Sequence, residues 1–510
     1  MSGPRPCGLA IVLLVVLPIG ACSGQTPPKV PPSSTAVEEA PVLPPDLVST
    51  GGAFLVMPYL QLGDNPTSTT PERFDLLWHA DDRDDDWTVE VRATAAGPWV
   101  ATASPTSRRV AVPGAAPHRV YRAVLGGLVP GGEFAYRLTK AGVEVFSAKG
   151  RARKGAGQRQ RFVVFGDCAA GTAPQRAIAH RAYLLAPDFV AIPGDIVYSR
   201  GRINEYRQKY FPVYNSDKLS AAEGAPLLRS FPFIGAPGNH DTATRDLEKV
   251  PDALAYFLYW DQPLNGPLET VGAAGSPTLQ GSAPATRRAF LEGAGPSYPR
   301  MANFSFDYGD AHWTVLDSNT YADWTKPDLH DWLARDLASA KGATWRFVMF
   351  HHPPFHSSKA HADEQRMRLI WKTLEDGGAD IVFTGHVHNY QRNSPMRFVP
   401  RENAQGKLVD PKGRVEGSWT LDRTFDGRTQ TVPDGVIHLV TGAGGARLYD
   451  TQRQADPASW KEFTQVYIAS VNSLTVADVD GPTLTIRQVA PDGRELDHLV
   501  VTRPAGLLTR

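Results

Sequence analysis

The sequence predicts two successive architectures: an all-β sandwich over residues 52–152, then an α/β domain over 160–505 built on βαβ units. Three observations carry this. After Ala53, short segments alternate apolar and polar residues between turn residues, as antiparallel strands with one buried face do. From Arg161 the pattern changes to apolar run, helical spacing, apolar run, which is a strand–helix–strand unit with parallel strands. The tail, "SLTVADVDGPTLTIRQVAPDGRELDHLVVTR", alternates around Asp-Gly turns and reads as closing antiparallel strands.

Taken in order, the first residues are not fold. Arg5 precedes "GLAIVLLVVLPIGA", an apolar stretch too short for a comfortable membrane span, and the stretch ends in "IGAC". This resembles the lipobox of a bacterial lipoprotein signal: residues 1–21 are removed and Cys22 is lipidated. The alternative is an ordinary secretory signal cut near Ala21. Either way an exported protein of the bacterial cell envelope, periplasmic or at the cell surface, is expected. Lipidation would hold it to the membrane by acyl chains alone. Residues 22–51 are rich in Pro, Ser and Thr, the composition of an extended spacer. Once Cys7 is removed and Cys22 modified, Cys168 stands alone and no intrachain disulfide is expected.

The sandwich strands are "FDLLWHA", "WTVEVRA", "HRVYRAVLGGL", "FAYRLTKAG" and "VEVFSAKG". In the second domain "RFVVFGD" and "PDFVAIPGD" flank the helix "APQRAIAHRAYLLA". Further strands are expected in "FPFIGAPGNHD", "ANFSFDYGDAHWTVLDSN", "WRFVMFHHPP", "ADIVFTGHVH" and "GVIHLVTGAGG", with helices in "LHDWLARDLASA" and "DEQRMRLIWKTLEDG". Residues 262–300 and 397–434 fit neither pattern and read as long insertions. With 53 Lys+Arg against 53 Asp+Glu, the chain has no basic footprint for nucleic acid and no polybasic membrane face.

Several strands end in metal-ligating side chains: Asp167, Asp195, Asn239-His240-Asp241, His351 and His386-x-His388. In open α/β sheets ligands gather at the carboxyl ends of strands, so these segments can converge. In an extended stretch residues two apart face one way, so His386 and His388 are expected to point into one site. Mixed oxygen and imidazole donors suit Zn, Fe or Mn better than Ca or Mg. Single elements of this kind are usually turns; five in order, each after an apolar run, indicate a metal site.

The series "GD…GDxxY…GNHD…H…GHVH" resembles that of the calcineurin-like metallophosphoesterases, and specifically the purple acid phosphatases, from about Arg161 to Arg392. The sandwich is similar to the fibronectin-III-like domain that precedes the catalytic domain in plant and some bacterial members. The resemblance implies a layered α/β/β/α domain with mixed sheets and a dinuclear centre. Asp167, Tyr198 and His388 would hold Fe(III), Asp195 would bridge, and Asn239, His351 and His386 would hold Fe(II), Zn or Mn. A phenolate favours a hard trivalent ion; a Mn/Mn or Zn/Zn pair would leave Tyr198 a mere neighbour. The implied activity is hydrolysis of small-molecule phosphomonoesters by a metal-bound hydroxide, extending into acidic pH. The alternatives are a phosphodiesterase or general metallophosphoesterase with a Mn or Zn pair, and a catalytically inactive surface-binding lipoprotein.

By the same resemblance His240 faces the substrate, with Asp241 orienting its imidazole, and His361, ahead of His356, is a second substrate contact. His352, His312, His330 and Arg392 are read as structural and Cys168 as packing. The sequence departs from the family pattern at "GDCAAG", where a Gly commonly stands second after the Asp.

Overall fold

The computed structural model describes residues 52–267, 275–279 and 281–504, together with Gly3 and the backbone of Val48–Ser49. Apart from Gly3, the expected signal segment 1–21, Cys22 and the expected spacer up to residue 47 lie outside the described residues, as do 50–51 and, within the first insertion, 268–274 and 280. Among the described residues no helix is long and apolar enough to cross a membrane.

The first architecture is two antiparallel sheets packed face to face. One holds, in spatial order, Val48–Ser49, Val143–Arg151, Glu133–Lys140, Trp87–Arg92 and Val100–Ala101; the other Val56–Gln61, Glu72–Asp81, His118–Leu128 and Thr106–Val110. Trp87–Arg92 buries every second residue, the period-2 signature of one dry face. Trp78 fills the space between the sheets, stacked on Tyr121 at 5.4 Å between ring centroids. The strand Glu72–Asp81 is buried on both faces, because on its outer side His79 packs on Phe211 and Tyr259 of the α/β domain, at 5.5 and 4.3 Å between ring centroids. At the seam a fully buried Arg153 donates Nε to Glu72 at 2.7 Å, with further bonds to the carbonyls of Asn65 and Thr67.

The α/β domain is a layered α/β/β/α structure with mixed sheets. Its first sheet runs Phe233–Ala236, Phe189–Pro193, Gln160–Val164, Leu474–Asp480, Thr483–Val489, Glu495–Thr502, and the first three strands are parallel. Its second runs Phe304–Tyr308, Ala311–Val315, Trp345–Met349, Ile381–Thr384, Ile437–Thr441, Tyr390–Asn393, Thr464–Ile468. The facing apolar sides interdigitate through aromatic rings, Phe162 lying 4.9 Å from Trp313 and 5.3 Å from Phe347. Helix Ala173–Leu184, capped by the Thr172 hydroxyl, covers the outside of the first sheet. Helices Pro327–Ser339 and Trp371–Asp376 cover the outside of the second.

Two segments differ from expectation. Residues 363–377 are not one helix: a 3₁₀ turn at Arg366–Ile370 precedes the α-helix. The residues before it are drawn into turns, because the Glu364 carboxylate reaches toward the histidines and Asp363 pairs with Arg414. The first insertion also contains regular structure. Its helix Pro284–Ala294 docks on the sandwich, where Arg108 donates to the carbonyls of Gly293 and Ala294.

Candidate metal centre

The parallel strands deliver their carboxyl ends to one edge of the two-sheet stack. Asp167, Asp195 and Asn239 leave the first sheet there; His351, His386 and His388 leave the second. The turns that aim them are strained. Asp167, Asp195 and His386 sit at φ 57°, 50° and 67°, a left-handed conformation that costs a side-chain-bearing residue roughly 1–2 kcal/mol. Hydrogen bonds within the cluster hold it: His386 N donates to Asp167 Oδ2 and His240 N to Asp195 Oδ1, each at 2.8 Å. The positive φ at His386 also overturns the extended-strand argument. His386 and His388 reach the two lobes described below around a turn at His386, and not through strand periodicity. Glycine is required beside them, since a Cβ on Gly385 would lie 2.6 Å from Asp167 Oδ2 and 2.7 Å from Pro193 O.

The imidazoles are oriented one by one. His351 Nδ1 lies 2.9 Å from Pro193 O and His388 Nδ1 2.7 Å from Arg447 O. A carbonyl only accepts, so both Nδ1 atoms carry the proton and both Nε2 atoms present lone pairs. His386 Nε2 meets the Glu364 carboxylate at 3.0 Å, which leaves its Nδ1 as the lone-pair nitrogen. These free nitrogens face the side chains of the other expected ligands, among which the Tyr198 hydroxyl still carries a proton to donate. His351 Nε2 is 3.2 Å from His386 Nδ1, 3.0 Å from Asn239 Oδ1 and 3.2 Å from Asp195 Oδ1. His388 Nε2 is 3.0 Å from Tyr198 Oη and 3.3 Å from Asp167 Oδ1, and Tyr198 Oη is 3.0 Å from Asp167 Oδ1. The donor atoms of Asp167, Asp195 and His388 all lie within 4.8 Å of one another.

Two lobes of acceptors therefore share Asp195, with every spare imidazole proton spent on an outer anchor. Lone pairs converging on one point repel unless a cation lies between them, so the donor set fits two metal ions. The carboxylates of the cluster also raise the proton affinity of their neighbours. Burial works against a charged His351, yet Asp195 holds it up at about 9. Burial and the neighbouring Asp167 and Asp195 push the Tyr198 phenol far above its usual value.

Residues 160–390 match the calcineurin-like phosphoesterase family. They are a calcineurin-like phosphoesterase domain. Purple acid phosphatase 18 of Arabidopsis thaliana is 29% identical to the chain over 280 residues, 54% of this chain and 47% of the relative. Probable inactive purple acid phosphatase 27 of the same plant is 24% identical over 276 residues, 51% of this chain and 35% of the relative. The chain thus spans half or less of the length of these curated relatives. Among solved structures, a purple acid phosphatase isolated from yellow lupin (Lupinus luteus) seeds has a TM-score of 0.58 at 18% identity, over 89% of this chain and 75% of that one. At that identity the likeness is one of fold.

Around the acceptor lobes the phosphoesterase domain places the remaining residues. His240, its side chain 32% exposed, gives Nδ1 to Ser199 O at 2.8 Å and keeps Nε2 3.9 Å from Asp195 Oδ2. The expected orienting contact from Asp241 is not formed. Asp241 is buried, and its carboxylate accepts the amides of Gly238 (2.8 Å), Ile196 (3.1 Å) and Val197 (3.3 Å). It ties the loop of Asp195 to that of Asn239 and does not touch the His240 ring. His361 bonds Glu364 through Nδ1 at 2.8 Å and lies 3.9 Å from the His386 ring, whereas His356 is buried behind. His352 is buried, Nδ1 2.8 Å from Ser318 Oγ, although its donor atom also groups with those of His351 and His386. His312 sits between Asp307 and Asp336, and His330 bonds the Trp324 carbonyl. Arg392 pairs with Asp497, and Cys168 is a buried thiol whose Sγ meets Ile196 O.

Two residues escaped the sequence reading. Glu364, which anchors both His361 and His386, stands three after His361, and that i, i+3 spacing was the only signal available. Tyr449 stacks on His388 at 4.0 Å and 14° and had no local signal.

Proposed function

We propose that this chain is a dinuclear metal-dependent phosphomonoesterase of purple acid phosphatase type, an enzyme acting on small-molecule phosphate esters. The observation that supports this reading best is the pair of acceptor lobes sharing Asp195, one of which contains the Tyr198 phenol. Asp167, Tyr198 and His388 would hold Fe(III), with Asp195 between the ions; Asn239, His351 and His386 would hold Fe(II), Zn or Mn. When bound, the ions would supply positive charge to the phosphoryl oxygens and a low-pKa water as nucleophile. The chain's own residues then orient and move protons. His240 and His361 are each fixed through Nδ1, which leaves Nε2 of either to hold or give the proton required by the leaving oxygen. To hold an ion Tyr198 would have to give up its phenolic proton, so metal uptake would release a proton. The signal-like N-terminus supports export and a Cys22 lipid anchor in a bacterial cell envelope.

The test is a visible absorption spectrum with elemental analysis, on protein beginning after Cys22 and purified without added metal. A broad band giving purple or pink colour, lost in Tyr198→Phe, supports tyrosinate on Fe(III). A colourless protein holding two Mn or Zn ions makes Tyr198 a neighbour and replaces the acid phosphatase reading with a general metallophosphoesterase. Greater activity on bis-p-nitrophenyl phosphate than on the monoester would favour a diesterase. The relative named probable inactive makes a third outcome specific: metal-loaded protein that cleaves neither ester is a binding protein and no enzyme.

A further inference from the structure

Tyr449 belongs to no motif, yet its ring packs beside the expected ligand His388. Its ring lies parallel to His388 at 4.0 Å and 14° and within 6.0 Å of the His361 ring, which itself lies 3.9 Å from His386. Tyr449 therefore completes a continuous row of rings along one side of both acceptor lobes. It is also held rigidly. Its amide donates to His388 O at 3.0 Å. The next residue, Asp450, accepts from the Ser358 hydroxyl (2.5 Å) and from the amides of Lys359 (2.7 Å) and Ala360 (3.2 Å). That carboxylate joins the loop carrying Tyr449 to the loop carrying His361, so the two loops cannot drift apart independently. Tyr449 is only half-buried, and its hydroxyl has no hydrogen-bond partner among the described residues. A half-buried phenol held by its ring against His388, near enough for the Asp167 and Asp195 charges to act on it, is arranged to meet an anion brought there by metal.

We propose that Tyr449 has two separable roles: its ring positions His388, and its hydroxyl donates a hydrogen bond to a phosphoryl oxygen of the bound ester. The inference rests on the dinuclear phosphoesterase reading above. Two variants separate the roles, since Tyr449→Phe keeps the stacked ring and removes the donor, whereas Tyr449→Ala removes both.

The experiment is calorimetric titration of inorganic phosphate into metal-loaded wild type and both variants, with elemental analysis and the visible spectrum of each. Tyr449→Phe should weaken phosphate binding about 10-fold or more, the size of one hydrogen bond to a charged group, with metal content and spectrum unchanged. Tyr449→Ala should in addition shift the spectrum or lower the metal content, because His388 is freed to rotate. Wild-type phosphate affinity in Tyr449→Phe overturns the hydroxyl's role, and wild-type spectrum and metal content in Tyr449→Ala overturn the ring's. A wild type that takes up no metal overturns the parent reading and this inference together. Two bound metals with unaltered variants overturn this inference alone.

Discussion

His118 makes the joint between sandwich and phosphoesterase domain sensitive to acid. It is fully buried, gives Nδ1 to Ala116 O at 2.9 Å and faces the Tyr259 hydroxyl with Nε2 at 3.0 Å. Because the carbonyl takes the Nδ1 proton, Nε2 accepts from Tyr259, and protonating it buries a charge and reverses that hydrogen bond. Burial first, then the charge of Arg207, lowers its pKa from 6.5 to about 4. The folded pKa is depressed, so the unfolded chain binds one proton more between these values. Stability is whole above about 6.5 and falls with pH by about 1.4 kcal/mol per unit, reaching a loss of about 3 kcal/mol near pH 4. His79 lies 5.8 Å away between ring centroids, is likewise buried and shifted downward, and titrates in the same direction. The assay is urea unfolding, followed by tryptophan fluorescence, from pH 8 to 5 for wild type and His118→Gln. At pH 8 the variant should be weaker by about 1 kcal/mol, one hydrogen bond. Between pH 6.5 and 5 wild type should lose about 2 kcal/mol that the variant keeps. Parallel curves would show that His118 titrates alike in both states and would refute the burial argument.

Two further outcomes follow from packing. Arg153→Leu leaves Glu72 charged in a site where both partners are almost wholly inaccessible, and should cost about 3–5 kcal/mol in urea unfolding. The double variant Arg153→Leu/Glu72→Leu should recover part of that loss. Gly385→Ala would set a methyl group against Asp167 Oδ2 and Pro193 O, so it should lower metal content by elemental analysis while leaving far-UV circular dichroism unchanged.

The strand ends were legible because each functional residue follows an apolar run whose composition announces a buried strand. Asp167 after "RFVVFG" and His351 after "WRFVMF" are examples, and the structure brings all seven expected ligand residues into two adjoining lobes. What misled was local geometry. His386 takes a left-handed turn and serves a different lobe from His388, and Asp241 turns away from His240 to gather backbone amides. Periodicity cannot see either, since both follow from which amides lie unpaired nearby once the loops have packed.

By itself, then, the sequence determined the order of architectures, the chemical character of the site and the strands that deliver it, because these are properties of short segments. Only the tertiary structure decided that Glu72–Asp81 is dry on both faces, that Glu364 anchors two histidines, and that Tyr449 packs beside His388. Each of those depends on a partner remote in the chain or on a loop of irregular backbone. A residue's own pattern reports its element, but not what that element is pressed against.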